Sequence, residues 1–267
     1  SVGKDRQGGG ISYGNIMWSN NGTCWVKSSS GDSFSVDGRG IAYGSDLWAA
    51  VGSDSAFYGG SGTSYGNIMW SDTGGVSWQE TTEGASFSKQ GLGVAYSSTG
   101  NGLLPRWVAV GDDSDYDGSG TSYGNVKWSD SGKVWNDSDT SGDYFENYGV
   151  GVARGEDHWV AVGMGKDTSS SDHHKNILRS TDGKYWSHSN PNGASFTREG
   201  NAVAYGDNIF VAVGRNQDAV PAPSNILWSS SDGDMWNYAE GASFPLTPLD
   251  DQQGFGVGYH NGLWVAV

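Results

Sequence analysis

Apolar residues in this chain come in short runs closed off by glycine, serine and aspartate, and no long amphipathic stretch separates them. The commonest run reads Trp48 to Val51, Trp107 to Val110, Trp159 to Val162, Phe210 to Val213 and Trp264 to Val267, and Gly follows it wherever the chain continues. Runs of this length bounded by turn residues predict strands. A second set precedes the first: Ile41-Ala42-Tyr43, Val94-Ala95-Tyr96, Val152-Ala153-Arg154, Val203-Ala204-Tyr205 and Val257-Gly258-Tyr259. A third begins at Asn15, Asn67, Asn125, Asn176 and Asn225, and a fourth at Trp25, Trp78, Trp135, Trp186 and Trp236. The octet SYGNIMWS at Ser12 to Ser19 recurs letter for letter at Ser64 to Ser71, with SYGNVKWS at Ser122 to Ser129.

The asparagines are spaced by 52, 58, 51 and 49 residues, so the order of four strands is written five times. Four antiparallel strands in about 50 residues, repeated, is the pattern of a propeller blade. One such sheet cannot bury both faces, so neighbours must stack. The pattern predicts an all-β chain folded as a five-bladed β-propeller, one domain over residues 1–267. The blades are 38–90, 91–148, 149–199, 200–253, and a closing blade shared by the N- and C-termini, residues 254–267 with 1–37. The ending GLWVAV supplies strands one and two of that blade, and the opening SVGKD continues where strand two of other copies leaves off. Such a shared blade leaves no free edge. A longer array cut at both ends is the alternative.

The turns between strands three and four read WSNNGTCW, WSDTGGVSW, WSDSGKVW, RSTDGKYW and WSSSDGDMW. Asp, Asn and Ser bond the backbone two residues on, and Gly takes the positive φ of a tight hairpin. On these residues the chain resembles the Asp-box, or BNR-repeat, propellers, whose hairpin reads roughly Ser-x-Asp-x-Gly-x-Thr-Trp. Asp182 directly precedes its Gly, Asp130 falls one place early, Asn20-Asn21 stands in the first copy, and Asp232 falls one place late. The resemblance implies an architecture, since in that family the box is a structural turn remote from any active site. Its best-known enzymes, the sialidases, need six blades and three arginines around a carboxylate. Here seven arginines are scattered over different repeat positions, and strand one offers mainly Ala, Val, Gly and Tyr. The reading is therefore a non-enzymatic propeller, with a glycan-acting hydrolase as the third alternative.

Charge narrows the partners. Thirty acidic residues against fifteen Lys plus Arg give −15 at pH 7, which repels phosphate backbones and anionic lipid surfaces. Nucleic acid is excluded as the natural partner, and no apolar window is long enough to insert into a membrane. Cys24 is the one cysteine, so no disulfide framework exists within the chain. The sequons at Asn21 and Asn136 fit secretion into a glycosylating compartment. The expected location is extracellular or cell-surface, with a signal peptide removed before Ser1.

Individuality lies in the loops between strands two and three, the usual seats of binding on a rigid scaffold. Tyr13, Tyr65 and Tyr123, with Asn15, Asn67 and Asn125, offer a repeated aromatic-plus-amide pair for carbohydrate: rings stack on sugars and amides bond hydroxyls. The competing reading makes Asn a turn residue, because all five copies keep Asn and only three keep Tyr. Asp113, Asp115 and Asp117 match the D-x-D-x-D-G opening of a calcium loop, without the closing Glu. No other cofactor is expected. The adjacent His173-His174 pair reads as loop, since neighbouring residues of an extended chain point oppositely. The functional expectation is a lectin-like recognition module binding carbohydrate or another extracellular protein. The alternative is an assembly module of a larger secreted polymer or adhesin.

Overall fold

The computed structural model describes residue 2 and residues 15–28, 30–53, 67–81, 83–98, 105–113, 123–139, 141–165, 173–216, 224–241, 243–244 and 252–267. The chain divides into two compact units, Ser1–Asp137 and Ser138–Val267. It is all-β, with 54% strand and 3% helix, and no helix among the described residues is long and apolar enough to cross a membrane.

In the first unit two sheets follow the expected order. Asp37–Gly44, Leu47–Ser53, Ile68–Ser71 and Ser77–Glu80 run antiparallel in sequence order, as do Gln90–Ser97, Arg106–Asp112, Val126–Ser129 and Asn136–Asp137. The pair Ser53–Gln90 joins them, and Ser30–Gly31, parallel to Ser77–Trp78, makes the ninth strand of the combined sheet. The hairpin Met17–Trp18 and Val26–Lys27 forms a two-stranded sheet of its own. The second unit repeats the plan with Tyr148–Arg154, Trp159–Met164, Ile177–Ser180 and Ser187–His188, then with Glu199–Gly206, Ile209–Asn216, Ile226–Ser230 and Trp236–Tyr238. It ends in the hairpin Val257–His260 and Leu263–Ala266. Four copies of the repeat are thus complete four-stranded sheets. The fifth is present as one hairpin in each unit.

Local chemistry explains the repetition. Strands one and two are joined at Ser45-Asp46 and at Asp207-Asn208, where both central residues take positive φ (46° and 57°, 49° and 59°). That is the tight hairpin turn whose twist matches the strands, and Asn and Asp tolerate it best. Every complete strand one carries a bulge at the same place, between Gly38 and Gly40, Gly91 and Gly93, Gly149 and Gly151, and Gly200 and Ala202. A bulge raises local twist and bends the strand.

The core lies between sheets. Leu47, Ala49, Val51 and Ile68 of one sheet meet Phe87, Trp107, Ala109 and Trp135 of the next. In the second unit Val160, Val162 and Ile177 meet Phe196, Phe210, Ala212, Leu227 and Trp236 in the same relation. Ile16 faces Phe34, Ala50, Met69 and Trp78 likewise. Small aliphatic residues on one face and aromatic ones on the facing sheet fill each gap. Burying each large side chain is worth about 1.5–3 kcal/mol.

Candidate functional site

The repeat asparagines are braces. Asn15, Asn67, Asn125, Asn176 and Asn225 are all buried, none more than 3% exposed. The Asn15 Nδ2 donates to the Phe34 carbonyl, and the same bond recurs from Asn67 to Phe87 (2.5 Å), Asn176 to Phe196 (2.9 Å) and Asn225 to Phe244 (3.4 Å). In three of them Oδ1 accepts a backbone N–H: Asp113 on Asn125 (2.8 Å), Gly165 on Asn176 (2.7 Å) and Phe244 on Asn225 (3.1 Å), while the Oδ1 of Asn67 is buried without a partner among the described residues. In Asn176 the buried carboxamide joins the loop after strand two, at Gly165, to the segment leading into the next sheet, at Phe196. Asn15, Asn67 and Asn125 therefore turn their amides inward, where no sugar hydroxyl reaches them. Tyr13 and Tyr65 lie outside the described residues. So does the side chain of Tyr123, whose backbone opens the single turn Tyr123–Asn125.

The strand three to four turn is built alike in all copies. The indole N–H of Trp25, Trp78, Trp135, Trp186 and Trp236 donates to the carbonyl of Gly22, Gly75, Gly132, Gly183 and Gly233, at 3.0–3.2 Å. The residue before the glycine caps the following amides: Asn21 receives Thr23 and Cys24, Ser131 receives Lys133 and Val134, Asp182 receives Lys184 and Tyr185, and Asp232 receives Asp234. Counted from its glycine, Asp232 is in register with Asp182. The apparent offset counted from Trp228 is one extra serine in that turn. Asp130, by contrast, points away from its turn to pair with Arg106 at 3.2 Å.

After strand four the chain clips onto the next sheet. Asp32 N–H reaches the Trp78 carbonyl (2.9 Å), Ala85 reaches Trp135 (2.8 Å), and in the second unit Asp143 reaches Trp186 (2.8 Å) and Ala194 reaches Trp236 (2.8 Å). Gly31 and Gly84 precede the first two clips at φ +85° and +87°. A β-carbon there would lie 2.0 and 2.2 Å from the Trp carbonyl oxygen. Only glycine lets the two backbones approach so closely.

In the first unit these clips frame a cleft of about 260 Å³ lined by Asp32, Trp70, Gln79, Glu80, Glu83 and Lys133, with Val134 at its edge. Trp70 and Gln79 are cross-strand neighbours. The Asp32 carboxylate caps the Glu80 N–H at 2.8 Å. Lys133 lays its ammonium 3.9 Å from the centre of the Trp70 ring and 3.2 Å from Asp72. The equivalent Trp128 is covered from its own sheet, by the Arg106 guanidinium at 4.8 Å. The sequence pattern does not point to this cleft, because its residues come from three separate segments. The available signal is the tryptophan recurring in strand three at Trp18, Trp70, Trp128 and Trp228.

Asp113 accepts the Ser88 N–H on one oxygen (2.5 Å), and its other oxygen pairs with Lys127 at 3.1 Å. Lys127 is itself buried and also reaches Asp137 at 2.6 Å. The cation facing Asp113 is thus a lysine, while Asp115 and Asp117 lie outside the described residues. Among the described residues no group of three His, Cys, Asp or Glu side chains is placed to hold a metal. Of the sequons, Asn21 is exposed in its turn and Asn136 exposed on the edge strand Asn136–Asp137.

The copy running from Tyr148 to His188 departs from the rest by placing Arg154 and Arg179 where other copies have Tyr and Trp. Arg154 donates to the carbonyls of Thr181 and Glu156, and Arg179 pairs with Asp234 at 3.2 Å. Burial, and then the Arg179 guanidinium, push the His158 imidazole below its ordinary range. Burial opposes ionisation of Asp232, but bonds from Ser230 and the Asp234 N–H, with Arg179, carry it below the usual carboxylate value. This is a network of compensated charges.

No family model matches the chain, and no curated protein matches it in sequence. A solved structure similar to it is that of the computationally designed Ika8 protein, 13% identical, with a TM-score of 0.46 over 90% of this chain. The chain spans 58% of the length of that protein.

Proposed function

We propose that the chain is a closed five-bladed propeller of the Asp-box kind, its fifth blade combining residues 254–267 with 1–37, that serves outside the cell as a non-enzymatic module for carbohydrate recognition. The ring is supported by the sameness of the sheet faces. Each complete copy offers an aromatic face to an aliphatic one, and the tryptophans left exposed among the described residues are Trp228 in the second unit and Trp25 in the first, 41% and 49% exposed. Carbohydrate is supported by the Trp70 cleft. An indole, carboxylates and a carboxamide converge there in a shallow depression, the mixture of flat apolar surface and hydroxyl-bonding groups that suits a sugar ring. At about 260 Å³ it is smaller than the roughly 300–1,000 Å³ of pockets for drug-sized ligands, which fits one ring of a longer chain.

A glycan array probed with the wild-type protein and with Glu83→Gln tests the reading. Sugars held by the wild type and weakened in the variant support it. Binding that is indifferent to Glu83 removes the cleft from the account. Cleavage of a bound oligosaccharide moves the function to a glycan-acting hydrolase. The assembly-module reading has its own support in the exposed Leu263, Val265 and Val267 of the last hairpin (65%, 56% and 67% exposed). Concentration-dependent polymers in analytical ultracentrifugation favour it.

A further inference from the structure

The charge of the Trp70 cleft narrows the sugars it accepts. We infer that this cleft selects amine-bearing sugars, of the free glucosamine kind, over neutral and acidic ones, and that Lys133 is the internal competitor holding the indole face when the cleft is empty. This rests on the carbohydrate reading above and specifies its ligand.

Three carboxylates, Asp32, Glu80 and Glu83, line the cleft against the one ammonium of Lys133. That ammonium already occupies the position a ligand cation takes over an aromatic ring, 3.9 Å from the Trp70 centre. Lys133 is tethered on its other side to Asp72, and both side chains are nearly half exposed, 42% and 48%. A flexible, exposed lysine is a replaceable occupant. An incoming sugar ammonium takes over the indole contact, while Lys133 keeps Asp72 as its partner. The second sheet shows the contrast in the cation: Arg106, only 10% exposed in its side chain, lies over Trp128 and pairs with Asp130, so it is held far more firmly than Lys133. The long-range field agrees, because a chain of net charge −15 draws cations toward its surface.

The test is calorimetric titration of three oligosaccharides of equal length, of glucosamine, N-acetylglucosamine and galacturonic acid, in mildly acidic buffer where the sugar amine is protonated. The glucosamine chain is expected to bind most tightly, and added salt to weaken it. Lys133→Ala, which frees the indole without touching the core, is expected to tighten it about two- to fivefold, the worth of one exposed cation–π contact. Glu83→Gln is expected to weaken it. Equal or tighter binding of the N-acetylated chain, or a loss of affinity in Lys133→Ala, overturns the amine selectivity and leaves the carbohydrate reading standing. If none of the three binds to wild type or to Lys133→Ala while both keep the same circular dichroism, both readings fall.

Discussion

Asn176 bonds the loop at Gly165 with one end and the next segment at Phe196 with the other, and replacing it measures what the brace is worth. Asn176→Ala removes the acceptor of the Gly165 N–H and the donor to the Phe196 carbonyl. Both groups stay in a region where Asn176 is 3% exposed, so water replaces the amide poorly. A buried group left unpaired costs about 1–3 kcal/mol, and two of them put the loss near 3 kcal/mol. For a chain of this size that lowers the melting temperature by roughly 6–12 °C. Thermal unfolding followed by circular dichroism reads the shift. Asn176→Asp refines the test. One carboxylate oxygen still accepts from Gly165, but the other faces the Phe196 carbonyl, an acceptor against an acceptor. Burial and that carbonyl raise the folded-state pKa above the unfolded value of about 3.9. The folded variant then binds its proton more readily than the unfolded chain. Its deficit is full above the folded pKa and shrinks as pH falls toward the unfolded one. The gap to wild type should narrow on the acid side, as pH falls toward about 3.9. An alanine variant within about 0.5 kcal/mol of wild type would falsify the brace, since that is the range of ordinary surface substitutions.

Lys127 occupies the position that Met17, Met69, Leu178 and Leu227 hold in the other copies. Lys127→Met and Lys127→Ala both leave Asp113, 20% exposed in its side chain, without its cation, but methionine fills the space that alanine leaves as a cavity, so in urea the alanine variant should unfold about 2–4 kcal/mol earlier than the methionine one. A methionine variant as weak as the alanine one contradicts this. The depressed pKa of His158 makes its contribution fully present above the unfolded value of about 6.5 and lost as pH falls below it. His158→Leu, the residue of the equivalent Leu47 and Leu263, should flatten stability against pH on that acid side, and an unchanged slope assigns the acid sensitivity elsewhere.

The repeat is legible in the sequence because its elements are short and local. Apolar runs, turn residues and a fixed order of four strands place 16 complete strands in four sheets where the pattern predicts them. The structural role of asparagine is legible too, as the constant distance from each Asn to a Phe 19 or 20 residues later, from Asn15 and Phe34 to Asn225 and Phe244. What stays hidden depends on contacts between sheets. Lys127 looks like a surface lysine until the fold buries it between Asp113 and Asp137. The Trp70 cleft needs the clip at Gly31, the strand Ser77–Glu80 and the turn at Lys133 to be brought together, and no spacing along the chain encodes that meeting.

The closed ring is the central claim, and the lone cysteine offers a direct measurement. The clip register pairs Ser30-Gly31 with Ser77-Trp78. Gly241 holds the same positive φ, +93°, with nothing within 4 Å of where its β-carbon would be, and among the described residues clips are seen to Trp78, Trp135, Trp186 and Trp236 but not to Trp25. Closure in that register sets Glu240 beside Cys24, at a strand spacing of about 4.8 Å that a disulfide spans. Glu240→Cys, oxidised with copper phenanthroline, should form an intramolecular bridge, seen as a faster monomer band on a non-reducing gel and absent when Cys24 is also changed to Ser. Two free thiols after oxidation, or bridges only between chains, contradict the ring.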